Sequence, residues 1–440
     1  MRKIISRSVV YLLSLAPLAW PQPSEKPAIP RGPSVAAGSH GVVVSGRPAA
    51  TAAGIKILEH GGNAADAGAA TLLALSVTYV GAFCVGGEVP ILVYSADQKN
   101  VKLLEGQGEA PRDPKAIAWY MEHGIPDGDV KAAAVPGTID AVVTLLKLYG
   151  TKSFEEVVQP TLAILDAGGP SWYIDTGSRE RIETGVNWQA DMAATFRKLV
   201  KSEKAAQGTR QQKLQAVSDR FYRGDIADAL EAWYIEKGGF LRKADLAAHK
   251  TPVVDPLKTT YRGYTVYKAG PLTQGPYLSQ TLRLLEGFDL SSLNTFVGTP
   301  NVIQPGKRPR ITLSPTLLFR GTDNDNQPVM AISVAGGDQQ DQAAIQVILN
   351  YVEFGMSPEE AFKAPRFSTT HFISSFGQDR ANLGSLSVPD TLPEKVQADL
   401  RARGHVITTD RGGVGGVALI EIDTNTKRAT AVGPAADKLK

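Results

Sequence analysis

The sequence predicts an α+β fold in which antiparallel sheets pack face to face with helices outside. Three observations lead there. Apolar runs of strand length come in pairs joined by short polar turns, at 90–94 with 101–105, 313–320 with 329–334, and 417–422 with 429–432. Stretches with helical spacing bracket these hairpins, from Ala49 to Ala74 on one side and from Gln342 to Lys363 on the other. No internal repeat divides the chain.

The elements follow in order. Val42 to Ser45 reads as a short strand, and Arg47-Pro48 prepares a helix start. A helix from Ala49 to His60 stops at Gly61-Gly62, and Asn63 caps a second, alanine-rich helix with Asp66 in its first turn. Gly86-Gly87 leads into the hairpin at 90–105. Helices are expected at 139–148 and 154–167, and a polar helical stretch from Arg179 to Tyr234 reads as a peripheral layer. Tyr261 to Tyr267 is expected as one strand, followed by a Gly-Pro-rich turn at 270–276 and a helix at 277–286. A loop without periodicity, 291–306, precedes the second hairpin. Helices at 357–363 and 393–403 come before the last hairpin.

Composition sets limits on function. The 440 residues are 43% apolar and 21% charged, with a net charge of +3, so neither nucleic acid nor an acidic membrane surface is an expected partner. Arg2, Lys3 and Arg7 precede a short apolar run and a Pro-rich exit, the pattern of a signal peptide over 1–22. It implies a periplasmic or secreted protein with no membrane association once removed. Residues 23–38 read as a linker. The one cysteine, Cys84, excludes an internal disulfide and, between apolar neighbours, reads as a small core residue. The six histidines show no metal-ligand spacing.

The stretch carrying the most chemistry is 331–341. Five small or apolar residues end at Gly336-Gly337, and Asp338 leads into a helix. Strand, two glycines and helix leave backbone N–H groups pointing at one place, where they can hold an anion or the oxyanion formed when an acyl carbonyl is attacked.

The stretches from Gly41 to Gly54 and Leu58 to Gly68, Thr260 to Tyr267, Leu285 to Leu290, Pro305 to Thr316, Gly336-Gly337, Phe354 to Ala361 and Ala364 to Phe367 resemble, in this order, the gamma-glutamyltransferase family of N-terminal-nucleophile hydrolases. The resemblance covers nearly everything after residue 38. It implies a four-layer αββα sandwich, incomplete here, and a precursor that cleaves itself to expose an N-terminal Thr. That Thr would use its own α-amino group as base. By the same resemblance Gly336 and Gly337 form the oxyanion hole, small amides or peptides are the substrates, and no metal or organic cofactor is needed.

The chain also departs from the family pattern. Residues 39–290 match the larger subunit and 305–440 the later part of the smaller one, but only 291–304 join them, where the family carries the nucleophile segment. Thr369 and Thr370, in Ser368-Thr-Thr-His-Phe372, look like the nucleophile motif and are candidates, as are Thr295 and Thr299 in the short junction. In place of the family's carboxylate-binding Arg stands Gln107, with Glu109 nearby as an expected repulsion. Ile311-Thr312 and Thr273-Gln274-Gly275 replace two serine-containing motifs. Gln107, Thr312, Gln274, Gly275 and Asp338 are therefore the expected substrate-binding residues. An amide acylase fits at least as well as a gamma-glutamyl enzyme, and a non-catalytic binding remnant or partner chain of the same fold is the alternative.

Overall fold

A seven-stranded antiparallel sheet organises the chain, in the order β1-β13-β12-β9-β8-β7-β6. The computed structural model describes residues 35–79, 82–126, 128–168, 188–286, 311–321, 326–372, 374–375, 380–410 and 415–439. The signal-peptide reading, the 291–304 junction, Thr295 and Thr299 lie outside them.

The first half alternates strands and helices: β1 Val35–Gly38, β2 Val42–Ser45, α1 Pro48–Glu59, α2 Ala64–Thr78, β3 Val89–Ser95, β4 Asn100–Gly106, α3 Pro114–His123, α4 Thr138–Tyr149 and α5 Phe154–Asp166. Helices α6 Trp188–Ala205, α7 Arg210–Tyr222, α8 Asp225–Glu236 and α9 Lys243–Ala248 follow. Then come β5 Val253–Val254, β6 Leu257–Tyr261, β7 Tyr264–Lys268 and α10 Gly275–Glu286. The last part holds β8 Thr316–Arg320, β9 Gln327–Ala335, α11 Gln340–Val352, α12 Pro358–Lys363, β10 Ser385–Pro389, α13 Glu394–Ala402, β11 Val406–Asp410, β12 Gly416–Asp423, β13 Arg428–Val432 and β14 Ala435–Lys438.

Two cores separate the layers. Leu104 of β4 and, half-buried, Ile91 and Val93 of β3 pack with α2, α4, α5, α6 and α7. On the far side, Ile332 and Val334 of β9 and Leu419 of β12 pack with α10, α11 and α12. Between the cores the sheets meet directly. The ring of Tyr94 on β3 stands edge-on to Phe319 of β8, centroids 5.1 Å apart, and Phe319 also meets Tyr267 of β7 at 5.1 Å. A two-stranded sheet, β14-β2, stacks further along the same face: a Cβ at Gly433 would lie 2.6 Å from Val44 Cγ2 and 3.3 Å from Ala418 Cα.

Several expectations are corrected. Tyr261 to Tyr267 is two strands, because Arg262 (φ 48°) and Gly263 (φ 79°) turn the chain with the left-handed geometry of a tight hairpin. The supposed linker ends in β1, which pairs with β13 along the sheet edge. The stretch read as peripheral contributes Phe196, Leu199, Leu214, Val217 and Phe221 to the first core, so its charged surface hides an apolar stripe. Cys84 is exposed, since it sits in a turn whose carbonyl accepts from Gly87 N and Thr138 Oγ1.

One carboxylate ties the helical layer together. Asp66, fully buried, accepts from Asn63 N at 2.9 Å, Thr151 N at 2.9 Å, Thr151 Oγ1 at 2.8 Å and Lys152 N at 3.0 Å, joining the start of α2 to the turn between α4 and α5. Asp66→Ala would orphan these donors, and we expect a loss of about 3 kcal/mol in urea unfolding. A change below about 1 kcal/mol would mean the turn finds other acceptors.

Candidate active site at the end of strand β9

Strand β9 stops at Gly336 because the chain must turn toward the helical layer without unfolding the sheet. Gly336 takes φ 136° and Gly337 φ 56°, both in the region that side chains disfavour. A short 3-10 turn, Gly337–Gln339, then feeds α11. Gln339 N closes the turn by donating to Gly336 O at 3.0 Å, and N–H groups at a helix start are the ones that lack acceptors within the helix. The expected strand, two-glycine break and helix are all present.

A buried ion pair fixes the base of the turn. Lys268 at the end of β7 is fully buried and donates to Asp341 Oδ1, Ser314 O and Thr316 Oγ1, each at 2.8 Å. Asp341, in the first turn of α11, also accepts from Ser314 Oγ at 3.0 Å. Burial pushes the Lys268 ammonium below its ordinary value, against the pull of Asp341. Three acceptors around one ammonium make the burial tolerable, and they lock β7, the start of β8 and α11 in one arrangement.

The expected substrate residues gather around this base. Gln274 Nε2 donates to Asp338 Oδ1 at 2.7 Å, and Ser375 donates to Asp338 through both its N–H, at 2.7 Å, and its hydroxyl. Gly275 opens α10, where a Cβ would come within 2.0 Å of Ala269 O. Thr312 lies beside the side-chain amide of Gln340, and Ile311 N donates to Leu272 O at 2.8 Å. Gln107 is 3% exposed and lines a narrow cleft with Pro90, Glu105, Gly270, Leu272 and Thr273. All five expected residues thus border the 270–275 turn or the Gly-Gly turn beside it.

Glu109 departs from expectation. It is buried, with Oε2 2.6 Å from His249 Nδ1, so its charge is engaged inside the protein.

Thr369 and Thr370 lie close to the turn, held there by α11. Gln342 pairs with Thr369 as a neighbouring strand would, accepting from its N–H at 2.8 Å and donating to its carbonyl at 3.1 Å. Gln346 does the same for Phe367. The Thr370 hydroxyl meets Ser385 Oγ at 3.0 Å, and Thr369 Oγ1 meets it at 3.3 Å. Sequence reading missed Lys268 and the two glutamines. Gln342 and Gln346, one turn apart on a single helix face, were the available signal.

The inner face of β9 beside the turn is open. Ser333 and Ala335 of β9 and Gly416 of β12 are exposed, though both strands lie inside the seven-stranded sheet.

Comparison with known proteins now bears on this site. The gamma-glutamyltranspeptidase family model matches residues 50–298 and 294–439. The chain belongs to that family. The glutathione hydrolase proenzyme of Bacillus subtilis (strain 168) is 22% identical over 547 residues, covering 88% of this chain and 88% of that protein. The acylase ACY 1 proenzyme of Pseudomonas sp. (strain SE83) is 29% identical over 293 residues, 59% of this chain and 50% of that protein. The chain likewise spans half the length of the glutathione hydrolase-like YwrD proenzyme of Bacillus subtilis, at 29% identity. In fold, it is similar to the cephalosporin acylase from Bacillus halodurans, with a TM-score of 0.74 over 95% of this chain and 97% of that one, at 22% identity. LmbA2991HD is similar at a TM-score of 0.77 and 24% identity, covering 91% and 96%.

The Lys268 cluster gives a direct test. Lys268→Met would leave Asp341 buried without its counter-charge, at an expected cost of about 3–5 kcal/mol in urea unfolding. Adding Asp341→Leu should restore most of that loss. A double variant as unstable as the single one would show that the pair is not what holds the turn.

Proposed function

We propose that this chain acts on small amides, with the acyl carbonyl placed at the Gly336–Gly337 turn for hydrolysis or acyl transfer. One observation carries the reading: two backbone-permissive glycines lead into α11 beside exposed residues of β9 and β12, a place where N–H groups at a helix start can meet an incoming carbonyl. Attack on that carbonyl builds negative charge on its oxygen, and N–H groups already held in place stabilise it without reorganising. Gln274 and Ser375 occupy the Asp338 carboxylate and keep it from repelling that oxygen. The layering of helices, two stacked sheets and helices supports the αββα reading of the N-terminal-nucleophile hydrolases. The neutral, buried Gln107 argues against gamma-glutamyl recognition at that position.

A second reading, binding without turnover, is favoured by the setting of Thr369 and Thr370. Both hydroxyls share Ser385 Oγ, and Thr370 N also donates to it. The short 291–304 junction, where the family carries its nucleophile segment, is a further ground for this reading.

Intact mass and N-terminal sequencing of the purified protein, with a panel of amide substrates, separate the readings. Two chains, the second starting with Thr, together with turnover that falls about tenfold or more in Gly337→Ala, support hydrolysis. A single chain that binds amides and turns none over supports the second reading.

A further inference from the structure

We propose that this chain binds an uncharged, extended peptide as an added β-strand over β9, between the unpaired edges of β2 and β3. That the peptide is also the amide acted on rests on the proposed function; its binding does not.

The floor of this site is the inner face of β9. The strand lies inside the seven-stranded sheet, and its Ile332 and Val334 turn to the helical layer. Side chains alternate across a strand, so Ala331, Ser333 and Ala335 face the other sheets of the sandwich. Ser333 and Ala335 are exposed there, as is Gly416, the partner of Ala335. Ala418, the partner of Ser333, is only half-buried. Two sheets packed face to face would cover such positions. All five residues are small and none carries a charge.

The opposite layer is divided, among the described residues, into β14-β2 and β3-β4-β5. Strand β14 contacts β1 and β13, whereas β2 contacts β13 and β12, so β2 is the member of its pair nearer β9. On the other side Tyr94 of β3 meets Phe319 of β8. Leu103 and Glu105 of β4 border a cleft with Ala269 and Gly270, which follow β7, one strand further from β9. The near member of that sheet is therefore β3. Among the described residues β2 pairs only with β14 and β3 only with β4, so each keeps one edge of N–H and C=O groups on the side of β9. Strands standing over β12 and over β8 are about 10 Å apart, two strand spacings, which is the width one added strand fills.

The chemistry of the occupant follows from what the walls and floor offer. Unpaired strand edges accept another extended main chain, and alternate side chains of that chain point to the floor. A floor of Ala, Ser and Gly without charge leaves room for uncharged, apolar side chains. Strand β9 runs straight into Gly336, so a peptide laid along it brings a main-chain carbonyl toward the Gly336–Gly337 turn.

The test uses the full-length purified protein and the peptide acetyl-Thr-Val-Thr-Val-Thr-amide in isothermal titration, with any products followed by mass spectrometry. The control is the same peptide N-methylated at both valines, which keeps its side chains and removes two N–H groups. Wild type should bind the parent about tenfold or more tighter than the control. Ser333→Phe, which fills the floor from an exposed position, should lose about tenfold in affinity for the parent with an unchanged urea midpoint, and Ser333→Ala should keep it. No binding of the parent by wild type, equal binding of both peptides, or unaltered affinity in Ser333→Phe would overturn the proposal. A dimer in sedimentation velocity that binds no peptide would give the site to a second copy and overturn it as well. Peptide binding without cleavage would count against the hydrolase reading and leave the strand site standing; turnover of small amides without peptide binding would do the reverse.

Discussion

The structure depends on one backbone constraint: β9, a central strand of the sheet, must leave the sheet and become α11 within a few residues. Gly336 at φ 136° takes a conformation open to glycine and strained for other residues, and a Cβ there would already lie 3.3 Å from Gly415 Cα. The turn sets where α11 starts. From there Asp341 reaches Lys268, and Gln342 and Gln346 take hold of the 367–370 segment. The two glycines thus fix the helix whose side chains collect the rest of the site.

Charge is placed by a consistent rule around this turn. Asp338, Asp341 and Glu109 each have carboxylate oxygens engaged by protein donors. Such an environment tolerates a developing oxyanion.

Much of the fold was legible in the sequence because periodicity and turn chemistry are local. The hairpins β3–β4 and β12–β13, and helices α1, α4, α5, α11 and α12, stand close to where apolar spacing and Gly or Asn punctuation place them. Reading failed where a single dihedral decides, as at Arg262-Gly263, which splits one apparent strand into two. It failed again where pairing is long-range. Strands β1, β10, β11 and β14 are short, and their partners lie far off in sequence or across a helix. The Gly-Gly turn and its neighbours Gln274, Gly275 and Asp338 were legible from motif and resemblance. Lys268 was not, because a lysine ending a strand looks like a surface residue until the sheets are stacked.

The most direct test of the central claim, that the Gly336–Gly337 turn receives an amide carbonyl, is a nitrogen-15 NMR titration of protein labelled at glycine. The Gly336 and Gly337 amide signals would be assigned by Gly336→Ser and Gly337→Ala and followed as glutaramate is added. The account predicts a saturable downfield shift of at least one of the two amide protons. Saturable binding that leaves both signals unmoved would place the amide elsewhere and contradict the account.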